Sequence, residues 1–147
     1  MKMILTAIVA TTCMTFFSVL LSVLTGEQFN EPFIIALLFG RMGMNELTNF
    51  QLVAGYLAHF VIGFLFVWAF VAILHRIKWQ PSVKVGASYG FIIGLFGILS
   101  WMALIAVHPD PPAISFGAFY AQLLGAHIVF GIAAALTYRR LSPVKEG

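Results

Sequence analysis

Four long apolar runs dominate the chain, and the stretches between them hold nearly all of its charge. The runs cover about residues 3–24, 50–74, 85–107 and 114–138, and none contains Asp, Glu, Lys or Arg. Each can cross the roughly 30 Å of bilayer hydrocarbon, which takes about 20 apolar residues in a helix. In lipid a backbone must satisfy its polar groups internally, so the pattern predicts an all-α polytopic membrane protein. The expected architecture is a single domain over residues 1–147, a bundle of four transmembrane helices. The connectors differ. Residues 25–49 form a long one, 75–84 a short basic one, and His108-Pro109-Asp110-Pro111-Pro112 a proline-rich turn. Within the first, Asn30-Glu31-Pro32, an apolar stretch to Phe39 and then Gly40 predict a short helix over about 31–39, capped, with proline in its first turn. Too short to span, it is expected as a surface helix or tucked into the bundle mouth. A loop collapsed onto the headgroups is the competing reading.

Composition narrows the class. Of 147 residues 61% are apolar and 9% charged, against roughly 25% charged in a soluble domain. Thirteen charged side chains cannot clothe a water-soluble fold of this size, which excludes a soluble globule, a disordered chain and a nucleic-acid module. The positions of the charges orient the bundle. Lys2, Arg76, Lys78, Lys84, Arg139, Arg140 and Lys145 fall on one side, Glu27, Glu31, Glu46 and Asp110 on the other, with Arg41 the exception. By the positive-inside rule both termini are expected in the cytoplasm, in a cell inner (plasma) membrane, with Trp79 and Tyr138 as interfacial anchors. Residues 3–24 read as an uncleaved first span rather than a signal peptide. The lone Cys13 excludes an internal disulfide and a CxxC motif.

The second and fourth spans share a block. Ala58-His59-Phe60-Val61-Ile62-Gly63 aligns with Ala126-His127-Ile128-Val129-Phe130-Gly131, which suggests a 2+2 parallel internal repeat. Together with the opening Ala10-Thr11-Thr12-Cys13-Met14-Thr15, an A-T-x-x-M-T signature, and the glycine-rich third span, these blocks resemble a family of small bacterial membrane proteins known only as a domain of unknown function. The resemblance covers most of the chain. It implies a four-helix inner-membrane protein and no established reaction.

Small residues fall at helical spacing. Gly86, Gly90, Gly94 and Gly97 line one face of the third span, Gly55, His59 and Gly63 one face of the second, and His127, Gly131 and Ala135 one face of the fourth. Thr11, Thr15, Ser18 and Ser22 form a polar stripe on the first. Such faces let helices approach closely where water provides no hydrophobic drive, so both histidines are expected to point inward.

An ionisable group inside a membrane is a functional-site hypothesis. One reading has neutral His59 and His127 satisfied by Thr11, Thr15, Ser18 or backbone carbonyls. The other has them as axial ligands of a b-type haem between the second and fourth spans, which must absorb an axial offset of roughly 7 Å and finds no intramembrane Arg for the propionates. No metal site is expected. Zinc or iron wants three or four ligands, and His108, Glu27, Glu31, Glu46 and Asp110 lie in loops, with His108 and Asp110 read as a solvated turn and His75 as facing headgroups. The spans lack buried carboxylates or bases for ion-coupled transport, and no catalytic motif is recognisable. The sequence therefore points to a non-enzymatic accessory or scaffold subunit that meets lipids, other membrane subunits or copies of itself through glycine-rich faces. A bis-histidine haem protein for electron transfer is the alternative, and a small-molecule transporter comes third. Fifteen Phe and three Trp also suit a lipid-facing or quinone-facing role.

Overall fold

A computed structural model describes residues 1–41 and 47–142. Regular structure among the described residues is entirely helical: α1 (Lys2–Thr25), α2 (Glu31–Arg41), α3 (Asn49–Ile77), α4 (Val83–Val107) and α5 (Phe116–Leu141). Helices α1, α3, α4 and α5 are long and apolar enough to cross a membrane, so the chain is a multi-pass helical membrane protein. Glu46 and Lys145, both used in the charge argument, lie outside the described residues.

Local chemistry ends the helices where the hydropathy pattern breaks. Gly26 closes α1 in the left-handed conformation, at φ 73°, its N–H bonded to the Ser22 carbonyl. Thr48 opens α3 with a capping box, its hydroxyl accepting from the Gln51 N–H while the Gln51 side chain accepts from the Thr48 N–H. Ser82 caps α4 through the Val85 N–H. These contacts answer backbone groups that a helix end leaves unpaired.

Glycine sets the packing. Helix α4 lies along α5, α5 along α1, α1 along α3, and α3 along α2. A Cβ on Gly90 would fall on the His127 carbonyl oxygen and 2.7 Å from Cα of Ile128. Gly86 and Gly131 each face the other's carbonyl, and Gly94 meets Leu124 and His127. Gly63 sits against Thr11, and Gly55 against Pro32 and Ala36 of α2. The glycine faces read from the sequence are thus occupied by contacts within the chain.

Helix α2 does not lie on the surface. Glu31, Ile34, Ala36 and Leu38 are buried, because an apolar helix beside the small face at Gly55 can hide its side chains in the bundle mouth. Phe29 and Ile34 join Phe119 and Leu123 in a second core at that end. The suggested repeat is not carried into the packing. A symmetric 2+2 arrangement would seat α3 on α4 as closely as α1 on α5, yet the α3 and α4 backbones barely approach. Tyr89 bridges them, its hydroxyl donating to the Phe66 carbonyl at 2.6 Å and its ring 4.9 Å from that of Phe70. Beyond that bridge, toward the α2 end, the two helices leave a gap.

Candidate intramembrane site

The gap is the mouth of a cavity of about 190 Å³. All five helices line it, with Thr11 from α1, Glu31 from α2, His59 from α3, Trp101 from α4 and His127 from α5 among the lining residues. Ile62 of α3 and Ser100 of α4 also line it and are exposed. Both lie well inside spanning helices, so the cavity opens sideways toward acyl chains.

The structure brings together the two histidines that the sequence singles out. It adds a third ionisable group, Glu31, which the sequence places in the connector between the first two spans. Hydrogen-bond bookkeeping fixes the roles of each. The single hydroxyl proton of Thr15 is directed to the Thr11 carbonyl at 2.9 Å. Thr15 Oγ1 therefore accepts from Nε2–H of His59 at 3.1 Å, leaving Nδ1 of His59 as the bare nitrogen, which faces Oε2 of Glu31 at 3.9 Å. On its other side Oε1 of Glu31 lies 3.3 Å from the Ser18 hydroxyl, whose one proton is shared with the Met14 carbonyl at 3.1 Å, and Ser18 accepts from Nε2 of Gln122 at 2.6 Å. Burial dominates this carboxyl and pushes it up to about 8, against a smaller opposing pull from Ser18. A protonated Glu31 is the form that matches a bare Nδ1 opposite.

His127 is held differently. Its Nδ1 lies 2.8 Å from the Leu123 carbonyl, which can only accept, so Nδ1 carries the proton and Nε2 is left with a lone pair. That edge of the ring lies next to Gly97, whose missing side chain leaves it room: a Cβ there would be 3.3 Å from Nε2. Thr11 Oγ1 is buried without a hydrogen-bond partner.

Other candidates are placed elsewhere. His108 is buried, with Nδ1 accepting from the Asp110 N–H at 3.1 Å and Nε2 donating to the Leu38 carbonyl at 3.2 Å. It is a pin between the α4–α5 turn and α2, not a solvated turn residue, and both ring nitrogens are engaged. His75 is exposed and pairs with the Tyr138 hydroxyl at 3.1 Å. No group of three or more His, Cys, Asp or Glu suited to a metal ion exists among the described residues. For a bis-histidine haem the donor set fits poorly, because Nε2 of His59 is engaged by Thr15. The volume points the same way: a cavity of about 150 Å³ accommodates one benzene ring, and a porphyrin is several such rings across.

Gln122 was not legible as a site residue. A lone amide in an apolar span was the available signal, and it acquires meaning only when Ser18 and Glu31 converge on it. Glu31 was signalled more clearly, as an acid opening an otherwise apolar helix, but its direction depends on α2 turning into the bundle. Compared with known proteins, the chain matches no family model, no curated protein and no solved structure.

Proposed function

We propose that this chain is a small membrane protein that binds a lipid-soluble molecule in the cavity between α3 and α4. One observation carries the reading: Glu31, His59 and His127, from three helices, converge on an interior space whose rim at Ile62 and Ser100 faces lipid. Ionisable groups are expensive inside a bilayer and face bundle interiors or ligand paths. A site near ring size with few polar groups and an apolar wall suits a small head on a hydrocarbon tail. In this reading the termini face the cytoplasm across an inner membrane, since Lys2, Arg76, Lys78, Lys84, Arg139 and Arg140 sit at that end. The resemblance to small bacterial membrane proteins supports the placement and supplies no reaction. An accessory-subunit role would have to use the lipid-facing surface, because the glycine faces are occupied within the chain.

Gly97→Leu tests the proposal. A Cβ there would meet the edge of the His127 ring, which lines the cavity, and the end of Leu123, with no backbone atom among its nearest neighbours, so a side chain grown from it takes up cavity space first. The wild-type protein, extracted gently and examined by native mass spectrometry, is expected to carry a lipid-sized adduct that Gly97→Leu lacks while keeping its helicity. Equal adducts on both proteins would refute the reading.

A further inference from the structure

The polarity of the cavity wall selects among lipid-soluble ligands. In the uncharged imidazole that a mid-bilayer position favours, Nε2 of His127 can only accept, since Nδ1–H is committed to the Leu123 carbonyl at 2.8 Å. Thr11 lines the same cavity, its buried hydroxyl lies against Gly63 without a partner, and a hydroxyl both donates and accepts. Elsewhere in the polar lining, Nε2–H of His59 is held by Thr15, Oε1 of Glu31 by Ser18 and the Ser100 hydroxyl by the Phe96 carbonyl, while Nδ1 of His59 faces Oε2 of Glu31 at 3.9 Å. A donor for Nε2 of His127 and a partner for Thr11 are the requirements that a ligand head can answer here. A carbonyl head meets only the second. A neutral hydroxyl meets either, because it donates and accepts.

We infer that the cavity takes the neutral hydroxyl head of a membrane-dissolved phenol or alcohol, which donates to Nε2 of His127 and runs its tail out between Ile62 and Ser100. The inference rests on the binding role proposed above and specifies its ligand. A head of one ring suits about 190 Å³, given that about 150 Å³ holds benzene. A phenolic quinol and a long-chain alcohol share the hydroxyl and differ in the ring, so both serve as probes.

The test compares a decyl-substituted benzoquinol, its quinone and 1-dodecanol against the intact protein in lipid nanodiscs, with ¹⁵N-histidine NMR as readout. The quinol and quinone share ring and tail and differ in donor against acceptor. The bare Nε2 resonance of His127 is expected to shift on quinol addition, with the quinol binding about tenfold or more tighter than the quinone, since an unpaired buried acceptor is expensive. Dodecanol producing the same shift assigns the recognition to the hydroxyl alone, and its failure beside a positive quinol adds the ring. Thr11→Val, close in shape, is expected to weaken quinol binding, and His127→Leu to abolish the quinol preference. Quinone binding as tightly as quinol, or an unmoved Nε2 signal with the quinol bound, would overturn this inference and leave the binding role standing. No binding by any of the three probes, with no adduct on the extracted protein, would remove both.

Discussion

Replacing Gly90 by Ala adds one methyl group at the glycine-lined crossing of α4 and α5. The new Cβ would meet the His127 carbonyl oxygen, Cα of Ile128 at 2.7 Å and the His127 carbonyl carbon at 2.9 Å. Carbon atoms rest at about 3.5–4.0 Å, so α4 and α5 must part by roughly 1 Å, a gap at which each contacting pair loses a quarter to a half of its attraction. Overpacking of this kind costs about 1–3 kcal/mol, and alanine's better helix propensity returns up to about 1 kcal/mol. A net loss of about 1–2 kcal/mol follows. Gly125→Ala is the matched control, because its Cβ would find only the Phe17 ring at 3.5 Å, an ordinary contact. Thermal unfolding in one detergent, followed by near-ultraviolet circular dichroism, should place Gly90→Ala several degrees below wild type and Gly125→Ala at or above it. Coincident melting of the two variants would refute the packing argument. A loss of oligomer without a loss of stability in Gly90→Ala would move the strip to a face between chains.

Two further substitutions probe the α2 end. Between pH 4.5 and about 8 the folded chain keeps a proton on Glu31 that the unfolded chain has released, so stability falls as pH rises through that window. Glu31→Gln removes the titrating group; its melting temperature should match wild type near pH 5 and exceed it at pH 8.5, by an effect on the order of a few kcal/mol. Parallel pH profiles would show that the carboxyl is not held neutral. His108→Ala deletes the buried bond to the Leu38 carbonyl and the bond from the Asp110 N–H, a loss of about 1–3 kcal/mol. Hydrogen exchange should quicken in residues 31–41 and 108–112 and not at the α4–α5 crossing, and unchanged exchange in α2 would count against the pin.

Whatever depends on neighbours along the chain was legible before any fold was known. Hydropathy is a local property and lipid requires helices, so span number and limits followed from composition over windows of about 20 residues. Small residues four apart marked packing faces for the same reason, and His59 and His127 were placed inward because they lie on those faces. Thr15 as partner of His59 and a carbonyl as partner of His127 were among the expected choices. Tertiary structure alone decided which faces meet. Glycine faces fit one another, other subunits or a second copy equally well in sequence, and only the assembled bundle shows α4 consuming its strip on α5. Whether α2 turned inward was likewise undecided by a stretch too short to span. That turn carries Glu31 to His59 and Ser18, and the parting of α3 from α4 opens the cavity. Both arise from contacts between segments far apart in the chain, where local pattern gives no distance.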